Sequence, residues 1–456
     1  MQQSLKSGSS TGDGVVVRGK LHKALGVRFG LAMMVGSIIG GGIMRAPGPV
    51  AALLPNAWLL LAAWLFGGVY VLLAVGSLAE LATMLPRAGG IFNYVQLAFG
   101  RYAGFLTGWF NFLTNAIAPA YFSIAISEYL GLLFPRLQGW QGAVAVAVLA
   151  SFTLLHLGGV KSGSLVQQLL SSLKVLVLLL LVGCCFLLGR APWGAPAAGG
   201  APVATGGALF IGFLQALQLI MGTYDGWDSP AMFAEEDTNP GRNLPRSLFG
   251  GALAVLTVYV LLNAAVLRVL PLGAMAGSKL ALADAAGVIF GPLGAVVITL
   301  VALFALLSIL NAQLMLTPRI LYGLSREGFF PAQATAVSAR GTPAVALLAT
   351  AGLGMMLIGG SSFERLFALG AFMNMVVFTL LFASVFRLRR TRPDLPRPFR
   401  AWGYPWSTGL MLLISVSLFL GFVLADPINA GVVLLLIGLS WLTFRFVLHQ
   451  KMVPGG

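Results

Sequence analysis

The chain has 456 residues, of which 58% are hydrophobic and 9% are charged, and its formal net charge is +15. A soluble domain could not cover so much apolar surface, which excludes the soluble classes and indicates a membrane protein. The basic residues are scattered between apolar runs and do not cluster with aromatic residues. The charge therefore indicates membrane topology and no nucleic-acid partner.

The chain begins with a polar, basic stretch that lacks the apolar core of a signal peptide, so we predict a cytoplasmic N-terminal tail over residues 1–26. The rest divides into apolar runs of the length that spanning helices need, which is about 20 residues. The runs cover residues 27–54, 57–84, 103–134, 140–157, 161–189, 208–234, 246–270, 291–323, 343–359, 364–387, 407–425 and 428–448. We therefore predict an all-α integral membrane protein with about twelve transmembrane helices.

The positions of the basic residues predict the orientation of these helices. With a cytoplasmic N-terminus, most lysines and arginines fall in cytoplasmic loops, where basic residues are retained. The exceptions in outer loops are Arg136, Arg190, Arg268, Lys279 and Arg365. This asymmetry predicts a multi-pass protein of the cell membrane with both termini in the cytoplasm. The basic run from 387 to 400 is interpreted as part of the same signal, although it could also contact anionic lipid head groups.

Residue types that perform chemistry are sparse. The two cysteines, Cys184 and Cys185, are adjacent within an apolar run, which excludes a disulfide framework and a zinc motif. The three histidines are well separated and acidic residues within the runs are few, so no nucleophile or metal set is evident. We expect no metal, no cofactor and no enzymatic activity.

The first apolar run contains a sequence that should interrupt a helix. It is Gly36-Ser37-Ile38-Ile39-Gly40-Gly41-Gly42-Ile43, followed by Pro47 and Pro49. Each glycine destabilises a helix by roughly 1 kcal/mol relative to alanine. Unwound backbone at membrane depth is tolerated only where it is buried in protein or lines a cavity, and exposed amides there suit an anionic group such as a carboxylate. Close helix packing through Gly36 and Gly40 is the alternative; a dinucleotide loop is excluded because no βαβ unit surrounds the glycines.

The sixth run contains a second interruption, Gly222-Thr223-Tyr224-Asp225-Gly226-Trp227-Asp228-Ser229-Pro230. Pro230 lacks a backbone donor, and two carboxylates lie near the membrane interior. Broken helices five apart are the pattern of an inverted repeat with its binding site at the repeat interface.

Several segments together resemble the amino acid, polyamine and organocation transporter superfamily, and most of all its L-type or light-chain-like branch with its bacterial relatives. The segments are Gly36 to Ile43; Ala79-Glu80-Leu81 with Pro86-Arg87-Ala88-Gly89-Gly90; Glu235-Glu236, Asn239-Pro240 and Arg242-Asn243-Leu244-Pro245; and Ser325-Arg326-Glu327-Gly328 with Pro331. Each motif is weak alone, but their order and spacing over some 300 residues make the joint match specific.

The resemblance implies a leucine-transporter-like fold. Residues 27–400, helices 1 to 10, would form a five-plus-five inverted repeat with helices 1 and 6 broken, and residues 401–456 would add helices 11 and 12 and a short cytoplasmic C-terminus. By similarity, amides of the three glycines hold a substrate carboxylate, while carbonyls near Ile38 and from 222 to 225 accept from its amino group. The residues expected at the site are Ser37, Ile38, Gly40, Gly41, Gly42, Ile43, Gly222, Thr223, Tyr224, Asp225 and Trp227.

Three positions depart from the family pattern. Gly222 stands where relatives usually place a bulky aromatic gate, so either another aromatic such as Tyr224 closes the site or the pocket is larger. Asp225 occupies a position that is usually small, and Arg45 one that is usually apolar or small and polar. We expect Asp225 to pair with Arg45 or another donor; the alternative is that it binds a cationic substrate side chain.

Lys174 lies more than two turns into the fifth run, where reaching the membrane surface is unfavourable although possible. By resemblance it matches a lysine whose ammonium stands in for the second sodium ion of sodium-coupled relatives. It would bridge Gly36 of helix one and Ser308 and Asn311 of helix eight. The prediction is sodium-independent transport, with a proton on this amine as a second route to coupling.

These features together predict a sodium-independent secondary transporter of amino acids that works by alternating access, as an exchanger or with proton coupling. Polyamines and other organic cations are the alternative substrates, and a channel is the alternative class. The outer loop near Pro135 and Arg136 lacks the cysteine that joins light-chain members to a heavy-chain glycoprotein. We therefore expect amino acid substrates and membrane lipids as partners, without a disulfide-linked heavy chain.

Overall fold

The computed structural model describes residues 21–192, 206–278, 280–358 and 363–448. Residues 1–20 of the predicted tail and the C-terminal residues 449–456 lie outside this part. Seventeen α-helices occur in the described residues. They are α1 Val27–Ile38, α2 Gly41–Arg45, α3 Pro47–Leu53, α4 Ala57–Met84, α5 Ile91–Phe99, α6 Arg101–Leu133, α7 Gln141–Leu157, α8 Val160–Leu188, α9 Gly207–Thr223, α10 Pro240–Val269, α11 Leu272–Ala276, α12 Ala281–Phe290, α13 Gly294–Arg326, α14 Ala344–Ile358, α15 Phe363–Thr391, α16 Trp406–Ala425 and α17 Pro427–Thr443.

The all-α membrane fold predicted from the sequence is confirmed. Within the described residues, the extended structure is limited to an isolated parallel bridge between Leu25 and Asp237. Eight of the described helices are long and apolar enough to cross a membrane. The other four predicted spans coincide with α7, α14 and the two interrupted helices, α1 to α3 and α9 with the 3-10 turn Ser229–Phe233. The count of twelve spans and the inverted repeat stay predictions.

Helix α1 lies inside the bundle, whereas the first half of α9 is largely exposed. Helix α1 packs against α8, α10 and α13, and α9 packs against α4. Long apolar helices surround them, with α6 in contact with α13, α14 and α15, and α10 in contact with α4. The outer faces of α8, α16 and α17 carry many exposed large apolar side chains, as lipid-facing surfaces do. Helices α5, α11 and α12 were not predicted, because they are short and lie between the long apolar runs.

One end of the bundle, the one predicted to face the cytoplasm, is crossed by ion pairs between helices. Arg319 of α13 donates from Nε and Nη2 to the Glu236 carboxylate at 2.7 and 3.0 Å, and both side chains are buried. About two turns further along α13, Arg326 pairs with Glu235 at 2.8 Å near the surface. Glu80 accepts from Arg389 at 2.5 and 2.8 Å and from the backbone amide of Ala401. These contacts connect α4, α13, α15 and the segment after α9.

The segment before α1 joins the same region through its backbone. The amides of Ala24 and Leu25 donate to the carbonyl oxygen of Glu236 at 3.0 and 3.1 Å. The amide of Thr238 donates to the carbonyl oxygen of Leu25 at 3.0 Å. The start of the first helix is therefore tied to the end of the sixth predicted span, on the same side as the Glu236 to Arg319 pair.

Candidate functional site

The first interruption falls at the predicted glycines. Helix α1 ends at Ile38 and α2 begins at Gly41, with Ile39 extended at φ −73° and ψ 101°. Gly40 is also extended, at φ −146° and ψ −147°. The amide of Ile39 closes the last turn of α1 on the carbonyl oxygen of Val35 at 3.1 Å, and the carbonyls at this helix end need partners from outside the helix.

The second interruption begins where α9 ends, at Thr223, and continues through turns to the 3-10 segment that contains Pro230. Gly226 has a φ of +96°, and a Cβ there would lie 3.0 Å from Cβ and the carbonyl oxygen of Ser37. A Cβ on Gly42 would lie 3.2 Å from Cα of Thr223. The two interruptions therefore pack against each other, and glycine allows their close approach.

A side chain that the sequence did not indicate links the two interruptions. The hydroxyl of Tyr259, on α10, lies 3.1 Å from the carbonyl oxygen of Ile38 and 3.0 Å from that of Thr223. Both acceptors are the last residues of their helices. Tyr259 is fully buried against Trp64 and Tyr224. It was missed because a tyrosine within a long apolar run gives no local signal.

A cavity opens where the interruptions meet, and eight of the eleven predicted site residues line it: Ser37, Ile38, Gly40, Gly41, Gly42, Gly222, Thr223 and Asp225. Polar side chains from α6, α13 and α15 complete the wall, namely Thr114, Asn115, Tyr121, Gln313 and Asn374. These five were not predicted, since each is an isolated polar or aromatic residue in an apolar run. The other three predicted residues, Ile43, Tyr224 and Trp227, are buried and do not line this cavity.

Several polar atoms in the wall have unused hydrogen-bonding capacity. Oγ of Ser37, Oγ1 of Thr114 and Oε1 of Gln313 are buried, and none has a hydrogen-bond partner in the described part of the chain. Buried polar atoms are normally satisfied, and an unsatisfied group in a cavity wall calls for a partner from outside the chain. The cavity is therefore suited to a ligand that carries hydrogen-bonding groups.

Tyr224, the aromatic residue expected as an alternative gate, points away from the cavity. Its hydroxyl donates to the carbonyl oxygen of Trp64 at 3.2 Å, and only 1% of the residue is exposed. A Cβ added to Gly222 would meet no atom within 4 Å. A second cavity shares Gly222, Asp225 and Asn374 with the first and is bordered by Trp227. Tyr224 therefore does not close the pocket in this structure.

Asp225 was expected to pair with Arg45 or another donor, and a donor lies beside it. Its Oδ2 accepts from Nδ2 of Asn374 at 2.9 Å. Arg45 lies at the exposed end of α2, whereas Asp225 lies in the cavity wall. The donor next to Asp225 is thus a neutral amide, and pairing of Asp225 with Arg45 stays a prediction.

Lys174 lies beside the first interruption, as predicted. Its Nζ donates to the carbonyl oxygens of Gly36 and Ile39 at 3.1 and 2.6 Å, and the side chain is fully buried. These carbonyls belong to the turn where α1 unwinds, so the ammonium occupies the place of a cation at a helix C-terminus.

The expected contacts to helix eight are made by neighbours of Lys174. Ser308 of α13 lies 3.3 Å from Oγ of Ser171, and Nδ2 of Asn311 donates to Oε1 of Gln167 at 2.7 Å. Ser171 and Gln167 both donate to the carbonyl oxygen of Ala32 in α1. The hydrogen bonds of Lys174 reach α1 alone, and α8 connects α1 with α13 through two side chains one turn apart, Gln167 and Ser171.

The chain is similar in sequence to known amino acid transporters. The chain is 26% identical over 442 residues to the serine/threonine exchanger SteT of Bacillus subtilis (strain 168), an alignment that covers 94% of this chain and 98% of SteT. It is 28% identical over 445 residues to the b(0,+)-type amino acid transporter 1 of Mus musculus, with 94% and 88% covered. It is 29% identical over 453 residues to the large neutral amino acids transporter small subunit 2 of Mus musculus, with 93% and 80% covered.

The sequence model that describes amino acid permeases matches residues 29–443, which include both interruptions and all seventeen helices apart from the first two residues of α1. The match covers the greater part of the chain. The chain therefore belongs to the amino acid permease family.

Proposed function

We propose that the protein carries amino acids across the membrane as a sodium-independent secondary transporter that works by alternating access. The observation that carries this proposal is the cavity between the two interrupted helices, lined by helix ends of opposite polarity. The family is one of permeases, so the protein is a transporter and not an enzyme.

The helix ends around the cavity match a zwitterion. Helix α2 begins at Gly41, and the amides at a helix N-terminus favour an anionic group such as the α-carboxylate. Helices α1 and α9 end at Ile38 and Thr223, and carbonyls at a helix C-terminus favour a cation such as the α-ammonium. A free amino acid supplies both charges on adjacent atoms.

The position of Lys174 supports transport without sodium. A fixed ammonium on the carbonyls of Gly36 and Ile39 occupies the acceptors that an alkali cation would need at this turn. Such a site supports exchange of one substrate for another, and SteT is named an exchanger. Proton coupling through the amine is the second mode.

The charges at the cavity wall favour one alternative substrate class. Asp225 and Asp228 are the acidic residues that line the cavity. No lysine or arginine lines it in the described part of the chain. A cationic amino acid or a polyamine would therefore meet an acidic wall. Replacement of Asp225 by Asn should lower uptake of lysine and arginine relative to leucine and serine if the carboxylate binds the substrate side chain; an unchanged ratio would leave Asp225 with a structural role beside Asn374.

The organisation of the chain in the membrane follows from the same proposal. Residues 27–400 would form the transport core, and α16 and α17 would lie outside it. We place the protein in the cell membrane with both termini cytoplasmic, which puts the paired arginines of α13 and α15 on the inner side. The two cysteines lie within α8 and not in a loop, so a disulfide-linked heavy chain has no attachment point among them.

The experiment that tests the proposal is uptake by purified protein in liposomes, with a panel of labelled amino acids and polyamines. Internal substrate, a pH gradient, and sodium or choline outside are varied separately. Exchange predicts uptake that depends on internal amino acid and not on sodium. Conductance without saturation would indicate a channel, and uptake that requires sodium would contradict the role given to Lys174.

A further inference from the structure

A cavity distinct from the amino acid site lies near one end of the bundle, where three separate parts of the chain meet. His22 comes from the segment before α1, Lys161 from the first turn of α8, and Arg340 from the loop before α14. The other residues that line it are small or aliphatic, so the three basic side chains supply its charge.

No carboxylate neutralises this charge within the described part of the chain. None of its ion pairs involves His22, Lys161 or Arg340. The lining of the cavity contains no aspartate or glutamate. By contrast, Arg319, Arg326 and Arg389 at the same end of the bundle are each paired with a glutamate. Converging cations without a counter-charge raise the local potential and attract an anion.

The backbone holds the basic residues in place. The amide of Val160 donates to the carbonyl oxygen of Arg340 at 3.3 Å, which joins the start of α8 to the loop before α14. Gly159, at a φ of +123°, allows this contact, because a Cβ there would lie 2.8 Å from Cβ of Arg340. Oγ1 of Thr342 donates to the carbonyl oxygen of His156 at 2.9 Å and fixes the loop from its other side. The backbone segments that carry Lys161 and Arg340 are therefore held together by hydrogen bonds.

The surface beside the cavity indicates the kind of anion. Lys161 is followed on the same side of α8 by a stripe of exposed leucines. Their exposed fractions are 69% for Leu165, 65% for Leu169, 55% for Leu176 and 59% for Leu180. A head group in the cavity could thus continue into an acyl chain along α8, whereas a free inorganic ion would use only the cations.

We propose that this cavity binds the phosphate group of an anionic phospholipid, held by Lys161, Arg340 and His22, with an acyl chain along the leucine stripe of α8. The shared chemistry is a phosphate anion, and the lipid is the source that the stripe favours. Since His22 precedes α1 by only five residues, a bound lipid would also contact the segment that leads into the first interrupted helix.

The test is native mass spectrometry of the purified full-length protein with phosphatidylglycerol and with phosphatidylcholine. The double variant Lys161→Gln/Arg340→Gln is compared with Arg136→Gln/Arg242→Gln, which loses the same charge from exposed sites elsewhere. A cation near an anionic lipid surface is worth about fivefold in binding, so the first variant should bind phosphatidylglycerol roughly thirtyfold more weakly. The control should stay within about twofold of the unmodified protein, and phosphatidylcholine binding should not change.

A second arm separates the lipid from a free ion. Inorganic phosphate should neither displace phosphatidylglycerol at equal concentration nor raise the melting temperature of the unmodified protein more than that of the double variant. Stabilisation by phosphate that the double variant loses, without a preference for phosphatidylglycerol, would overturn the lipid assignment. Equal loss of phosphatidylglycerol in both double variants would show a general charge effect and overturn the site. His22→Gln, which lies before the first helix, provides a milder variant with an expected loss in the same direction.

Discussion

The buried ion pair between Glu236 and Arg319 makes a quantitative prediction about alternating access. Only 3% of the Arg319 side chain and none of the Glu236 side chain is exposed, and Nη1 of Arg319 also donates to the carbonyl oxygen of Met315. The guanidinium lies 4.9 Å from the ring centre of Phe233. We expect opening of the cavity toward this end to separate α13 from the segment after α9, which would break the pair.

Removing one partner leaves the other charge buried and uncompensated in the closed conformation. The cost of such a loss is about 3–5 kcal/mol, whereas in the open conformation water solvates the remaining charge. Arg319→Met should therefore shift the equilibrium toward the open conformation by about two to three orders of magnitude. The double variant Glu236→Gln/Arg319→Met should regain most of the closed population, because no charge is left buried.

The backbone hydrogen bonds at this end provide the readout. The amides of Leu25 and Thr238 are bonded only while the segment before α1 stays on the residues after α9. Hydrogen exchange at these amides, measured in lipid nanodiscs, should accelerate in Arg319→Met by the same factor.

The neighbouring pair on α13 is the matched control. Arg326 and Glu235 are 30% and 23% exposed, and exposed pairs contribute about 0–1 kcal/mol. Arg326→Met should therefore change exchange at Leu25 and Thr238 by no more than about fivefold. Equal exchange rates in the two methionine variants would refute the reasoning.

Four further variants test the amino acid site. Lys174→Ala should insert and fold but lose most uptake, since the carbonyls of Gly36 and Ile39 lose their cation; normal uptake by this variant at every pH in proteoliposomes would contradict the role. Gly42→Val should lower substrate affinity by about tenfold or more, because the added side chain meets Thr223 at 3.2 Å. In Gly222→Ala the added methyl group enters open space, so this variant should bind substrate normally in scintillation-proximity assays. Tyr259→Phe should weaken binding about two- to twelvefold through loss of one hydroxyl that contacts both interruptions; isothermal calorimetry with unchanged affinity would show that the hydroxyl is not needed.

Local sequence signals located the two interruptions. Glycines weaken a helix, and α1 ends at Ile38, two residues before Gly40, while Gly41 and Gly42 begin the separate helix α2. The Gly222 to Pro230 stretch likewise predicted the end of α9, which falls at Thr223. In both cases the cause lies within a few residues of the effect, so the sequence was sufficient.

Contacts between distant parts of the chain could not be predicted in the same way. Asn374 binds Asp225 across 149 residues, and Arg319 binds Glu236 across 83. An asparagine or arginine in an apolar run shows that a polar partner is needed, but not which one. Arg45 was considered as a partner because both it and Asp225 are charges that depart from the family pattern, and the packing of α15 against the second interruption supplies Asn374 as a donor.

The hydroxyl of Tyr259 supplies a single hydrogen-bond donor to the two interruptions. A phenol has one hydrogen, yet its oxygen stands within bonding distance of two carbonyls, those of Ile38 and Thr223. At any moment one carbonyl accepts the hydrogen and the other keeps its lone pairs available. A primary ammonium brings three hydrogens, so its arrival would let the tyrosine settle on one acceptor. Because hydrogen-bond donors are few at this point, the site favours ligands that carry several donors.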